Sequence, residues 1–309
     1  MSVDLRAAAA DYLQTRRARG YRLADHEWLI SSFLDGLQAQ NRVSITRADA
    51  LAFATRPGVG RAWQAFRMST IRDFASYVHG RNPQAAELIP AGLIPAGHVR
   101  RIPYLYSAEQ ISDLMTKAVA ILPPLLGVTI AAFIGLLAAT GMRGGEAIGL
   151  DAEDFLPERA LLNVTGKYGR QRVLPLHPST VTALSTYRQV RAAMTPAPVA
   201  GPFFLGATGN RLNHTSAQEA FRRVVAACDL PTSPGARPPR LHDLRHAFAV
   251  NSLIDAHRQG ADVDARIAAL ATYLGHVNPV NTYWYLTASA ELMTLVGDRM
   301  ATHRQGRRP

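Results

Sequence analysis

The 309-residue chain holds one cysteine and two lysines, and each scarcity excludes something. With Cys228 alone there is no intrachain disulfide and no cysteine-rich metal site, and the thiol is expected to pack as a small hydrophobe inside a helix. Long apolar runs are scarce too. Residues 118–142 carry no charge, but Pro123 and Pro124 divide them. The apolar helix that follows, Leu125 to Thr140, spans about 24 Å at 1.5 Å per residue, short of the ~30 Å hydrocarbon of a bilayer. It reads as a buried core helix. The opening MSVDLRAAAADYLQTRRARG has no apolar core before a cleavage site. The expectation is a cytoplasmic protein with no membrane partner.

Arginine, by contrast, is abundant. Basic side chains number 34 against 23 acidic ones, a net charge of +11. The surplus is shared: 14 basic against 8 acidic groups in residues 1–106, and 20 against 15 thereafter. A soluble chain this basic ordinarily meets a polyanion, nucleic acid above all. Charge on both parts suits a protein that grips double-stranded DNA from two sides. The 48% hydrophobic content and the length allow two globular domains.

Residues 1–80 read as a helical DNA-binding domain, with helices over Leu5–Arg19, Ala24–Gln40, Arg47–Thr55 and Arg61–His79. Thr46 and Asp49 form a capping box at the third start, and Gly80 is expected to stop the fourth helix in a left-handed turn. Trp63, Phe66, Ile71, Phe74 and Val78 line one side of that last helix, which leaves Arg61, Arg67 and Arg72 for phosphates. Prolines 83, 90, 95 and 103 make residues 81–106 a linker, in which Arg100 and Arg101 are placed to meet DNA backbone. A second domain, residues 107–300, opens on a Ser107–Gln110 capping box. It is mostly helical, with one β-hairpin from ALLNV (160–164) and QRVLPL (171–176). Helices are expected over 178–194, 213–228, 242–258, 263–273 and 289–302, before a basic tail, 301–309. The fold class is therefore mainly α with a small β-hairpin or sheet in the second domain.

Four motifs in that domain carry polar groups suited to chemistry. ATGMRGGEAIGL holds Arg143 after a Thr-Gly turn, with Glu146 three residues on. TGKYGRQRVLPL puts Lys167 at the hairpin tip, with Arg170 and Arg172 beside it as further phosphate contacts. LHDLRHAFA places His242 and Arg245 at i, i+3, on one helix face. YLGHVNPVNTYWYL sets His276 nine residues before Tyr285. Each has a plainer reading in isolation. Arg143 can cap a helix and pair with Glu146, and His276 can be an ordinary neighbour of a helix C-terminus. Tyr285 sits in an aromatic string where Tyr283 competes. His242 and His246 have the i, i+4 spacing of metal ligands, but no third ligand is evident and Arg245 between them repels a cation. No metal and no cofactor are expected.

Together and in this order the motifs resemble the tyrosine recombinase (phage integrase) family. Its pattern is an Arg after a Thr-Gly turn, a hairpin Lys, a His-x-x-Arg, a Leu-Gly-His, and a Tyr nine positions later. The resemblance covers Ser107 to Met300 and implies a two-domain DNA clamp. It also implies catalytic roles for Arg143, Lys167, His242, Arg245, His276 and Tyr285, with Glu146 supporting Arg143. In the family reading His276 donates to the scissile phosphate and His242 assists as acid, base or donor. The stretch VNPVNTYW is bulkier than the family's usual Ser/Thr-rich approach to the tyrosine, and YWYLTASAELM resembles transposon-borne members. The resemblance implies site-specific recombination through a 3′-phosphotyrosine, a homotetramer on DNA, and accessory recombinases as possible partners. A type IB topoisomerase-like relaxase and a catalytically silent DNA-binding relative remain as alternatives.

The residue types suit that chemistry independently. A phosphodiester under attack gathers negative charge on its non-bridging oxygens, and an arginine fork stays charged while donating two hydrogen bonds. A phenol can hold a phosphate covalently and later leave. The departing 5′ oxygen needs a proton, which Lys can give and Arg cannot. Lys167 is one of only two lysines among 34 basic residues, the other being Lys117.

Overall fold

The computed structural model describes residues 4–21, 23–95, 103–166, 169–195, 201–231, 238–275 and Thr294. They fall into two units, Met1–Arg101 and Ile102–Pro309. The first has four helices among its described residues: α1 (Leu5–Ala18), α2 (Ala24–Ala39), α3 (Arg47–Ala54) and α4 (Arg61–Arg81). Asp4 caps α1 by accepting from the N–H groups of Arg6 and Ala7, and Thr46 and Asp49 close the expected box on α3. Ile71, Phe74 and Val78 on α4 are fully buried with Phe33 and Phe53, while Trp63 and Phe66 are partly covered.

Two details differ from the sequence expectation. Helix α4 runs through Gly80, which has no left-handed conformation, and ends at Arg81. The stop comes from Asn82, extended as a residue before proline must be. The segment expected to be linker from residue 81 belongs in part to this first core. The N–H of Ile45 donates to Ala85 O at 2.9 Å and Glu87 N–H donates to Ile45 O at 2.8 Å, which buries Ala85, Ala86 and Ile89.

The second unit is built round α6 (Pro124–Thr140), which packs on α5 (Ala108–Ile121), α8 (Pro178–Met194) and α10 (Leu241–Arg258). Contact on several sides explains why α6 is apolar all round. Among the described residues the remaining α-helices are the short α7 (Gly144–Ile148), α9 (His214–Ala227) and α11 (Val263–Leu274). Three antiparallel strands among the described residues lie in chain order: β1 (Phe155–Leu156), β2 (Leu161–Thr165) and β3 (Gln171–Pro175). The hairpin β2–β3 pairs Leu161 with Pro175 and Thr165 with Gln171. Strand β1 was not foreseen, because two residues are too few to show a period. Cys228 is not inside a helix. Its extended backbone ends α9, and the side chain packs half-buried on the core.

The fold is mainly α with one small antiparallel sheet. Among the described residues no helix is long and apolar enough to cross a membrane. The helix expected over 289–302 lies outside the described residues except at Thr294.

Candidate active site

The site begins where α6 stops. Gly141 takes a left-handed conformation, φ +59°, and a Cβ there would lie 2.4 Å from the Phe248 ring. Only glycine meets both demands. The chain then delivers Arg143, extended, to the start of α7.

Glu146, in the first turn of α7, receives four hydrogen bonds. Arg143 gives its backbone N–H to Oε2 at 2.9 Å and its Nη1 to Oε1 at 2.9 Å. Arg172 on β3 gives Nη1 to Oε1 at 3.2 Å and Nη2 to Oε2 at 2.8 Å. The Glu146 side chain is 6% exposed, against 17% for Arg172 and 36% for Arg143. Burial alone would raise the carboxyl pKa. The hydrogen bonds from Arg172 and from the Arg143 backbone, with the charge of Arg172 and the Arg143 side-chain hydrogen bond, outweigh it, so the pKa is lowered and the group stays ionised.

Helix α10 supplies the other members. Arg245, 2% exposed, donates Nη1 to Gly141 O at 2.7 Å and Nη2 to Leu274 O at 2.8 Å. It thus ties the C-terminal ends of α6 and α11, whose last carbonyls have no partner within their helices. His242, one turn earlier, is exposed, yet the protein packed round it lowers its pKa. Arg245 adds to this, and Arg143 lies near enough to contribute. His246 stands edge-on to His242, ring centroids 4.7 Å apart, and its pKa is lowered to about 4, by burial first and then by His242. Among the described residues no three His, Cys, Asp or Glu side chains converge as a metal site would need.

The structure thus gathers Arg143, Glu146, His242 and Arg245. Lys167, His276, Tyr285 and its rival Tyr283 lie outside the described residues, as do Arg100 and Arg101. Their neighbours in the chain are described. Gly166 precedes Lys167, and a Cβ on it would sit 3.5 Å from both Arg172 Nη1 and Glu146 Oε1. Gly275, left-handed at φ +67°, precedes His276, and its Cβ would lie 3.3 Å from Arg172 Nη1.

Of the arginines assigned to phosphates, Arg61 and Arg170 are exposed. Arg72 is paired with Asp73 at 3.0 Å, and Arg67 is half-buried over the Phe53 ring. Arg172 points inward. Besides its two bonds to Glu146, its Nε donates to Tyr273 O at 3.1 Å. The strand's alternation carried that signal, because Arg172 shares a face with the buried Leu174.

Residues 106–291 match the phage integrase family. The chain belongs to that family. It is 35% identical over 298 residues to a putative integrase/recombinase, y4rB, of Sinorhizobium fredii, covering 93% of this chain and 94% of the relative. It is 30% identical over 264 residues to tyrosine recombinase XerC of Rhodospirillum centenum, covering 84% and 71%. Among solved structures, the fold resembles the Tn1549 transposon integrase in complex with transposon right end DNA, at TM-score 0.66 and 16% identity over 95% and 99% of the two chains. It also resembles the XerH site-specific recombinase bound to its difH substrate, at TM-score 0.65 and 16% identity over 88% and 78%. As a family member the protein is a tyrosine-type site-specific recombinase. Among the described residues, the Arg172–Glu146–Arg143 cluster and the Arg245 tie lie at the motifs that carry the family resemblance.

Proposed function

We propose that this recombinase cuts and rejoins double-stranded DNA through a covalent 3′-phosphotyrosine on Tyr285, with neither ATP nor metal. The Tyr285 oxygen attacks the scissile phosphorus, a phosphorus–oxygen bond forms, and the bond to the 5′ oxygen of the next sugar breaks. His242, held neutral, accepts the phenol proton, and Lys167 gives one to the leaving 5′ oxygen. Arg143, Arg245 and His276 face the charge that builds on the non-bridging oxygens. A 5′-hydroxyl from a partner strand then reverses the step, the phosphoester energy having been kept in the tyrosine link.

The observation that carries this reading is the Arg245 tie. A single buried guanidinium joins the turn before Arg143 to the turn before His276, so two distant motifs meet at one place. Two duplexes with two cleavage points each call for four copies on DNA, with accessory recombinases as candidate partners, and we place the work in the cytoplasm.

A DNA substrate nicked near the cleavage point traps the intermediate, because the short fragment diffuses away. The wild type is expected to form a covalent protein–DNA adduct that Tyr285→Phe abolishes and Tyr283→Phe preserves. Failure of the wild type to form one would leave only the silent DNA-binding alternative. Relaxation of supercoils by a monomer, without strand exchange, would favour the topoisomerase-like alternative.

A further inference from the structure

We propose that Arg172 is a positioning residue for strand cleavage, which keeps Arg143 available to the phosphate by sharing Glu146 with it. The inference rests on the recombinase reading above and adds a residue to its machinery. A buried carboxylate that faced one arginine would close a bidentate pair with it and cancel its charge. Here Arg172 occupies one position on each oxygen of Glu146, and Arg143 reaches the carboxylate with Nη1 and its backbone N–H only. Two guanidiniums against one carboxylate leave the cluster with a net positive charge. Of the two, Arg143 has the greater share of its side chain open to solvent.

The same guanidinium reaches two other approaches to the site. Its Nε holds Tyr273 O in the last turn of α11, and a Cβ on Gly166 or Gly275 would lie 3.5 or 3.3 Å from its Nη1. Those glycines immediately precede Lys167 and His276. One side chain on β3 therefore binds the carboxylate that holds Arg143 and stands close to the chain before Lys167 and before His276. A lysine carries its donors on a single atom, and cannot serve both carboxylate oxygens and a carbonyl from there. A DNA-phosphate role is disfavoured, since all three guanidinium nitrogens of Arg172 are engaged inside the protein.

The test measures single-turnover cleavage of the nicked substrate by the full chain, wild type against Arg172→Met and Arg172→Lys. Each is run on a natural phosphodiester and on a methylphosphonate at the scissile position, which lacks the charged non-bridging oxygen. Both variants are expected to bind DNA with unchanged affinity and to cleave the phosphodiester about 10²-fold more slowly. On the methylphosphonate, where there is less charge for Arg143 to meet, the deficit is expected to shrink by about tenfold or more. The ratio of the two rates does not depend on the folded fraction, so it remains readable if a variant is partly unfolded. Equal deficits on both substrates would mean a merely structural role and overturn the proposal, as would wild-type cleavage by both variants. If the wild type forms no Tyr285 adduct, the recombinase mechanism itself falls, and the role of Arg172 falls with it.

Discussion

Arg245 on α10 donates to the carbonyl of Gly141, at the end of α6, across 2.7 Å and 104 positions of sequence. The bond is buried, and its second arm reaches Leu274 at the end of α11. Helix C-termini carry partial negative charge, so a buried cation between two of them is stabilising from both sides. The consequence is mechanical: the turns leading to Arg143 and to His276 cannot move apart without breaking a charged hydrogen bond.

Arg245→Lys is expected to cost about 2 kcal/mol, because one ammonium cannot span both carbonyls and one charge-assisted bond is lost. Cleavage should fall by about 10²-fold. Urea unfolding and adduct formation on the nicked substrate measure the two effects. Unchanged stability would mean that the tie is not under load.

Alanine at the two left-handed glycines should discriminate between them. Gly275→Ala meets backbone strain and a tight but movable Arg172, so a loss of about 1–2 kcal/mol is expected. Gly141→Ala adds a collision with the Phe248 ring at 2.4 Å, which brings the expected loss to about 3 kcal/mol or more. Equal midpoints in urea would contradict this order.

Acid should weaken the second unit through His246. His246 has a folded pKa of about 4 against an ordinary 6.5, so between those values the unfolded chain binds the extra proton and the folded one does not. Stability is complete above pH 6.5, falls as pH drops toward 4, and this contribution levels off below that. The loss is on the order of 3 kcal/mol, with His242 acting in the same direction. Melting temperatures of wild type and His246→Asn across pH 4–7 test it, and the variant should show the shallower slope.

In the first unit, Thr46→Ala removes the side-chain acceptor for Asp49 N–H at 3.1 Å and half of the box on α3. A cost of about 1 kcal/mol is expected. Hydrogen exchange should place it in α3 and its neighbours, with the amides of α10 and α11 unchanged.

Much of this was legible because it is local. Capping boxes at Thr46 and Ser107, Pro123 and Pro124 at the start of α6, Gly141 after it, and the i, i+3 spacing of His242 and Arg245 all act within four residues. The stop of α4 was misread because Gly80 looked like a cap while the Asn82–Pro83 pair did the stopping. Arg172 reads as a surface cation in a chain so rich in arginine, although its register with Leu174 points inward.

From sequence alone came most of the elements, the expectation of two parts and the identities of the residues proposed for the chemistry. All of these follow from local propensity and from spacing along the chain. Tertiary structure decided where the guanidiniums point. Arg172 finds its partners 26 and 101 positions away, and Arg245 finds carbonyls at 104 and 29. Three of those four acceptors are backbone oxygens, which every residue carries alike, so no letter in the sequence marks them. Only folding, which leaves the last carbonyls of α6 and α11 without helical partners beside buried arginines, selects them.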